Sequence, residues 1–417
     1  MAESVDASFA VGLADVPEPL RAPVEAHWSR FCAATDYDWS DGNALDCLST
    51  LPRVWACSEF VARTCALHPQ LLTELVDSGD LLRSYGPDLL AERVSRLMET
   101  VQNETALMQC LRVLRRRELV RVAWRDLAGW ADLAEVMVNL SALADVCIDT
   151  ALNWLYADAA DKHGTPNGEQ SGESVPMVVL GLGKLGGHEL NFSSDVDLIF
   201  AYSEHGTTTG TRPLSNHEFF LYLGRRLVNV LNQATADGFV YRVDMRLRPN
   251  GNSGPLALGF EAMEQYYQTH GREWERYALI KARVVAGDRA AGEKLLVRLR
   301  PFVYRKYLDY GAVEAIREMK VMINRELQRK GMPDNIKLGP GGIREIEFIG
   351  QAFQLIRAGR ERDLQERSIL SALHKLSERG HLVDQAANEL AKAYVFLRNT
   401  ENRLQMIADR QTHELPK

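Results

Sequence analysis

The sequence predicts an α+β protein, predominantly helical, with one small mixed sheet flanked by N-terminal helices and a C-terminal helical bundle. Three observations predict it. Apolar side chains recur at three- and four-residue spacings from about Ala22 to Leu127 and again from about Glu261 onward. Short, Val-rich apolar runs are confined to residues 175–247. A polar, Gly-rich segment over 161–173 separates the first helical region from those runs and reads as a mobile surface loop.

The elements follow in order. Within 88–98, Leu90, Val94, Leu97 and Met98 share one helical face, and a helix runs from about Leu133 to Asp158. Val175–Leu180 reads as a buried strand and Asp197–Tyr202 as a second. Phe239–Leu247 alternates and predicts a third, and an amphipathic helix over Asn216–Ala234 lies between those last two. Residues 312–328 carry apolar groups at Ala315, Ile316, Met319, Ile323 and Leu327, and further helices are expected at Ile343–Ala358, Ile369–Ser377 and Val383–Ile407. The division is 1–127 for the N-terminal helices, 128–298 for the sheet domain and 299–417 for the bundle.

Composition bounds the function. The 417 residues carry 49 basic and 56 acidic side chains, a net charge of −7, and 46% are hydrophobic. That balance suits an ordinary globular protein and argues against one that coats nucleic acid. No run approaches 18 apolar residues, so no membrane span is expected. The six cysteines all precede residue 150 and form no Cys-x-x-Cys pair, which fits a reducing cytoplasm better than a disulfide framework or a zinc site. The N-terminus has no secretory pattern, and the end directly after a long helix is what a chain cut from a longer one would show.

The chemistry concentrates between Val179 and Phe200. A strand runs into a Gly-rich turn containing Gly181, Gly183, Lys184 and Gly186, then a stretch with Ser193 and Ser194, then a strand opening on Asp195-Val196-Asp197. Glycines let phosphate approach free backbone N–H groups. Two carboxylates two apart on a strand share a face and repel, an arrangement that Mg²⁺ or Mn²⁺ makes favourable. Asp244 supplies a third carboxylate on the next strand, among Arg242, Arg246 and Arg248, which suits metal beside polyphosphate. Glycines 181, 183 and 186 also match dinucleotide-binding spacing, but a strand resuming by about Asp197 leaves no room for a crossover helix.

Other cations are more ambiguous. The basic stretch Arg112–Arg121 reads first as a solvated helix face and second as a wall of an anionic cleft. Arg272, Glu273, Trp274, Glu275, Arg276 and Lys281 are expected on one helix, either structural or holding nucleotide and phosphate. Lys337 and the turn Gly339–Gly342 precede a helix, a suitable anion site or a plain inter-helix turn. His188 has no partner at ligand spacing and reads as incidental.

The combination resembles the polymerase-beta-type nucleotidyltransferase superfamily, in which a Gly-Ser or Gly-Gly turn precedes Asp-x-Asp and a later strand brings a third carboxylate. Gly183-Lys184 stands in place of Gly-Ser, which removes a hydroxyl and passes the phosphate contact to Lys184. More narrowly, the segments Gly183–Gly187, Glu189–Phe200, Arg242–Pro249, Gly271–Tyr277 and Gly339–Phe348 closely resemble bifunctional glutamine synthetase adenylyltransferase/adenylyl-removing enzymes. Glu189-Leu190-Asn191-Phe192 is similar to the N-terminal, adenylyl-removing half of that family.

The resemblance implies a phosphorolysis in which phosphate attacks AMP esterified to a tyrosine of glutamine synthetase, releasing ADP. It further implies two divalent ions, Mg²⁺ or Mn²⁺, on the catalytic carboxylates Asp195, Asp197 and Asp244. Nucleotide and phosphate contacts are then expected from Gly183, Lys184, Ser194, Arg242, Arg246, Arg248 and Lys281, and a regulatory partner in the PII signalling protein, in its uridylylated form. Two rivals share these residues or part of them: an ATP-dependent adenylyltransferase, and a non-catalytic module that binds PII.

Overall fold

The computed structural model describes residues 2–39, 42–306, 314, 321 and 335–415. Eight helices come first: α1 (Ala2–Ala14), α2 (Glu18–Ala34), α3 (Gly42–Cys57), α4 (Glu59–Leu67), α5 (Pro69–Asp77), α6 (Pro87–Met98), α7 (Glu104–Leu127) and α8 (Leu133–His163). The two long ones begin at side-chain caps, with Asn103 accepting from the Ala106 N–H and Asp132 from the Glu135 N–H.

The basic stretch on α7 is neither a solvated face nor a cleft wall. Arg112, Arg115, Arg117 and Arg121 are buried. Arg117 pairs with Glu74, Asp80 and Glu118, Arg121 with Glu118, and Arg115 with Asp409. Acids on α7 and on neighbouring elements, and for Arg112 the carbonyls of Met108, Gln233 and Gly238, turn these cations into internal struts, which a charge run in the sequence cannot reveal.

The sheet is built from β2 (Met177–Gly181), β3 (Val196–Tyr202), β5 (Val243–Asp244), β6 (Ala257–Gly259) and β7 (Arg283–Gly287). Its order is β5-β3-β2-β7, with β6 also pairing β3. β2 runs antiparallel to β3, which excludes the crossover of a dinucleotide-binding unit. β5 and β6 both run parallel to β3. β1 (Pro166–Gly168) pairs with β4 (Gly206–Thr208) in a separate ribbon, and Ser171 bonds Glu204, so the expected mobile loop over 161–173 is instead tied down. Helix α8 also runs five residues beyond the expected end.

The third strand is shorter than its alternation predicts. Only Val243–Asp244 pairs, because the Asp244 carboxylate accepts the Arg246 N–H at 2.8 Å and turns the chain, and Asn250 then adopts a left-handed conformation. Helix α10 (Asn216–Asn232) starts at a Ser215–Glu218 capping box. Its Gly224 lies so close to Phe200 that an added Cβ would meet that ring at 2.9 Å. Helices α11 (Phe260–Thr269), α12 (Glu273–Leu279) and α13 (Arg289–Val303) lie on one face of the sheet.

The C-terminal helices α14 (Ile343–Arg357), α15 (Ile369–Glu378) and α16 (Asp384–Met406) match the expected spans within two residues. The helix expected over 312–328 lies outside the described residues apart from Glu314 and Val321. One core cluster runs from Phe9 through the sheet to Ala286 and includes Met406, and a second packs the opposite sheet face against α11–α14. We retain the boundaries at 127 and 298 as a proposal, although the larger core crosses the first. No described helix is long and apolar enough to cross a membrane.

Gly186 shows how tightly the turn after β2 is seated. A Cβ there would meet the Lys281 carbonyl oxygen at 2.0 Å and the Gly181 carbonyl oxygen at 2.7 Å. Backbone cannot yield as a side-chain tip can, so Gly186→Ala is expected to cost about 3 kcal/mol or more in urea unfolding. A loss within ~0.5 kcal/mol would refute this packing.

Candidate active site

The turn after β2 is a four-residue helix, α9 (Gly183–Gly186), stacked over the start of β3. The Leu182 N–H donates to the Asp197 carbonyl at 2.9 Å. Gly183 has φ +54°, and an added Cβ would meet Asp197 Oδ2 at 2.7 Å. Glycine is required here because the Asp197 carboxylate lies against the turn.

Parallel pairing sets Asp197 directly beside Asp244. Asp195 stands one residue before β3, not within it as expected. Burial, Asp244 and Asp195 together push the Asp197 carboxyl up to about 6. Asp195 Oδ1 accepts from Arg242 Nε at 2.6 Å, and its Oδ2 from Gln411 Nε2 at 3.3 Å. Against burial, Arg246 holds Asp244 below its usual range through its guanidinium and its own N–H.

These carboxylates open on a cavity of about 760 Å³. Gly183, Lys184, Ser194, Asp195 and Asp197 line one side. Asp244, Arg246 and Lys281 also face it, so eight of the ten expected residues converge. Arg242 and Arg248 do not line it. Arg248 donates to the carbonyls of Met245 and Gly254, so its expected phosphate contact gives way to bracing the loop after β5. Lys281 lies beyond the end of α12, where Arg276 is buried against the Phe302 and Val303 carbonyls and Glu275 binds Tyr266. Trp274, Tyr277 and Ala278, one face of α12, form an apolar wall with Leu247. His188 lines a separate cavity between α6 and α8, and burial with Arg283 and Arg367 pushes it down to about 4.

The groups that hold this site come from far along the chain. Both carboxylate oxygens of Glu401 accept from Lys184 Nζ at 2.8 Å. Burial, with Arg398 and Lys337 nearby, pushes Lys184 down to about 7. Against burial, Lys184 and His413 hold Glu401 ionised, well below its usual range. On the same face of α16, Asn402 accepts from the Phe192 N–H at 2.8 Å and Gln405 from the Ser193 N–H at 2.9 Å. Arg398 donates to Asn191 at 2.6 Å. Lys281, in turn, bridges Glu189 and Glu347 at 2.7 and 2.8 Å. Sequence reasoning missed Glu401, Asn402, Gln405 and Glu347. The available signal was polar residues at 398, 401, 402 and 405, a stripe where an amphipathic helix ordinarily places apolar ones.

The donor set suits a hard divalent cation in kind, since three oxygen-donor acids crowd one another enough to raise Asp197. Among the described residues, however, no three His, Cys, Asp or Glu side chains gather at metal-ligand spacing. Arg242 and Arg246 instead hold Asp195 and Asp244.

A β-strand, a Gly-rich turn and a returning strand that ends the turn with Asp-x-Asp, with one more acid on the paired strand, define the nucleotidyltransferase class. The chain belongs to the glutamate-ammonia ligase adenylyltransferase family, whose pattern matches residues 48–297. Residues 317–417 match the family described as GlnD PII-uridylyltransferase. Curated relatives carry the description bifunctional glutamine synthetase adenylyltransferase/adenylyl-removing enzyme. One from Nitrosococcus oceani is 57% identical over 88% of this chain and 38% of its own length. One from Thioalkalivibrio sulfidiphilus is 55% identical over 90% and 39%, and one from Hahella chejuensis 48% over 96% and 41%. The chain thus spans about two fifths of the length of these relatives.

Two outcomes are expected. A raised carboxyl binds its proton more tightly folded than unfolded, so an ionised Asp197 costs stability above pH about 6, and the cost vanishes as pH falls toward the ordinary 3.8. In EDTA, Asp197→Asn should therefore gain on the order of 2 kcal/mol at pH ~8 and nothing at pH ~4 by urea unfolding. Equal midpoints at the higher pH would contradict the raised Asp197 carboxyl. Glu401→Gln leaves Lys184 buried without its counter-charge and should lose about 3 kcal/mol. The double variant Lys184→Met/Glu401→Gln should lose clearly less than the sum of the single losses; strict additivity would deny the pairing.

Proposed function

We propose that this chain removes AMP from an adenylylated tyrosine of glutamine synthetase by phosphorolysis, yielding ADP and the free tyrosine. The observation that carries the reading is the junction of β3 and β5, where Asp197 and Asp244 lie side by side and face, with Asp195, a cavity that also holds cations. Asp195, Asp197 and Asp244 would hold Mg²⁺ or Mn²⁺, two ions in our reading. When bound, the ions supply charge stabilisation at the phosphorus and at the departing phenoxide oxygen.

The protein's own groups do the remaining work. The β2–β3 turn presents Gly183 and Ser194 to the cavity, and Lys184 adds positive charge whose position Glu401 sets. Arg246 neutralises Asp244 and faces the same space. The α12 wall excludes water on one side and offers a flat aromatic surface at Trp274. Transfer of this kind requires positioning and charge stabilisation more than a protein nucleophile. We read the match of residues 317–417 to a PII-modifying family as support for a PII protein, uridylylated, as regulatory partner, and the activity as part of nitrogen assimilation in the cytoplasm.

The test supplies the chain with adenylylated glutamine synthetase and Mg²⁺, with and without phosphate, and resolves the nucleotides by chromatography. ADP that depends on phosphate is the expected product. AMP would mean hydrolysis, and ATP-dependent labelling of unmodified synthetase would reverse the direction. Asp195→Asn/Asp197→Asn should lower the rate about a thousandfold or more, the loss of roughly 4 kcal/mol at the transition state. An unchanged rate would remove the carboxylates from the chemistry.

A further inference from the structure

The cations that line the cavity fall into two groups. Lys184, Arg246 and Lys281 each contact a carboxylate: Glu401, Asp244, and the pair Glu189 and Glu347. Lys337 and Arg344 line the same cavity, and neither side chain has an ion pair or hydrogen bond among the described residues. The expected phosphate ligands are thus largely committed to internal acids, and the charge without a partner among the described residues stands elsewhere.

Backbone geometry fixes these two cations together. The Arg344 N–H donates to the Lys337 carbonyl at 3.0 Å, and the Ile343 N–H to the Ile336 carbonyl at 3.1 Å. Between them Gly341 has φ +71°, and at Gly342 an added Cβ would meet the carbonyl oxygens of Gly339, Ile336 and Lys337 within 2.9 Å. The turn folds back on itself, so residues seven apart in sequence serve one site. Lys337 is near enough to Asp197 and to Lys184 to influence the charge of both. The apolar wall of Trp274, Tyr277 and Leu247 lines the same cavity and suits a nucleoside.

We propose that Lys337 and Arg344 form the subsite for the attacking phosphate. The inference rests on the phosphorolysis reading and adds the position of the second substrate. Hydrogenphosphate is a dianion that two cationic donors facing one cavity can hold. One of its oxygens forms a bond to the α-phosphorus as the bond from that phosphorus to the tyrosyl oxygen breaks. The electron pair leaves on the phenoxide oxygen, which receives the hydrogenphosphate proton, and the bound phosphate becomes the β-phosphate of ADP. Lys337 and Arg344 therefore touch the same group before and after transfer.

The experiment measures steady-state ADP release from adenylylated glutamine synthetase at varied phosphate, for the full chain and for Lys337→Met, Arg344→Met and Arg344→Lys. Each Met variant is expected to raise KM for phosphate tenfold or more, with kcat within about threefold and KM for the adenylylated synthetase unchanged. Arg344→Lys should recover part of the loss. Lys337 is half-buried and Arg344 exposed, and circular dichroism and the unfolding midpoint should match the parent chain. An unchanged KM for phosphate, or an equal rise for both substrates, overturns the subsite.

Calorimetric titration of the chain with inorganic phosphate and Mg²⁺ separates the two ideas. Phosphate binding abolished by Lys337→Met/Arg344→Met, without ADP release by the parent chain, keeps the subsite and discards the reaction. If inorganic phosphate does not bind and pyrophosphate does, the site serves a leaving group, and the assignment to an attacking phosphate falls.

Discussion

Glu401 facing Lys184 is the contact on which the rest of the site depends. A lysine set into a closed turn beside three carboxylates needs a fixed counter-charge, and the carboxylate that supplies it is itself fully buried. Burying such a pair is favourable only when every remaining donor and acceptor finds a partner. Helix α16 goes part of the way with one stripe of side chains, although the Asn402 Nδ2 and Gln405 Nε2 donors are buried without a hydrogen-bond partner among the described residues. Arg398, Asn402 and Gln405 take up the Asn191 side chain and the N–H groups of Phe192 and Ser193, the segment that leads into Asp195. The bundle is therefore part of the support of the sheet and its carboxylates, and the two cannot be optimised independently.

The same logic explains the electrostatic state of the carboxylates. Asp195 and Asp244 are each compensated by an arginine from the β5 segment, whereas Asp197, wedged against Gly183, has no such partner among the described contacts. Burial raises its carboxyl first, and the repulsion from Asp244 and Asp195 that the arginines leave behind adds to it. A polar site of this kind stores unfavourable charge that a bound cation relieves. The family match places the arrangement in a setting where nucleotide chemistry is the natural use of that stored charge.

What could be read from the sequence followed from periodicity. The C-terminal helices, the lack of room for a crossover helix between β2 and β3 and the gathering of the acids at one place on the sheet all have local signatures in spacing and residue type. Three things escaped. The arginines of α7 look solvent-facing because key partner acids lie far along the chain, Glu74 43 positions from Arg117 and Asp409 294 from Arg115. The strand at Phe239–Leu247 alternates throughout but pairs at two residues, since an aspartate that caps a turn overrides the pattern. The holding groups of α16 lie more than 200 residues from the loop they support, and no local rule connects them.

That separation also sets an order of events during synthesis. Glu401 is made 217 residues after Lys184, an interval of roughly 10–40 s at ordinary ribosomal rates. The N-terminal helices and the sheet can close their shared apolar core meanwhile, because nearly all of that cluster lies before residue 287. The loop that carries the carboxylates must wait. The N–H groups of Phe192 and Ser193 have only water for partners until α16 emerges, so this part of the site acquires its shape late, and a nascent chain can be well folded before the site is in place.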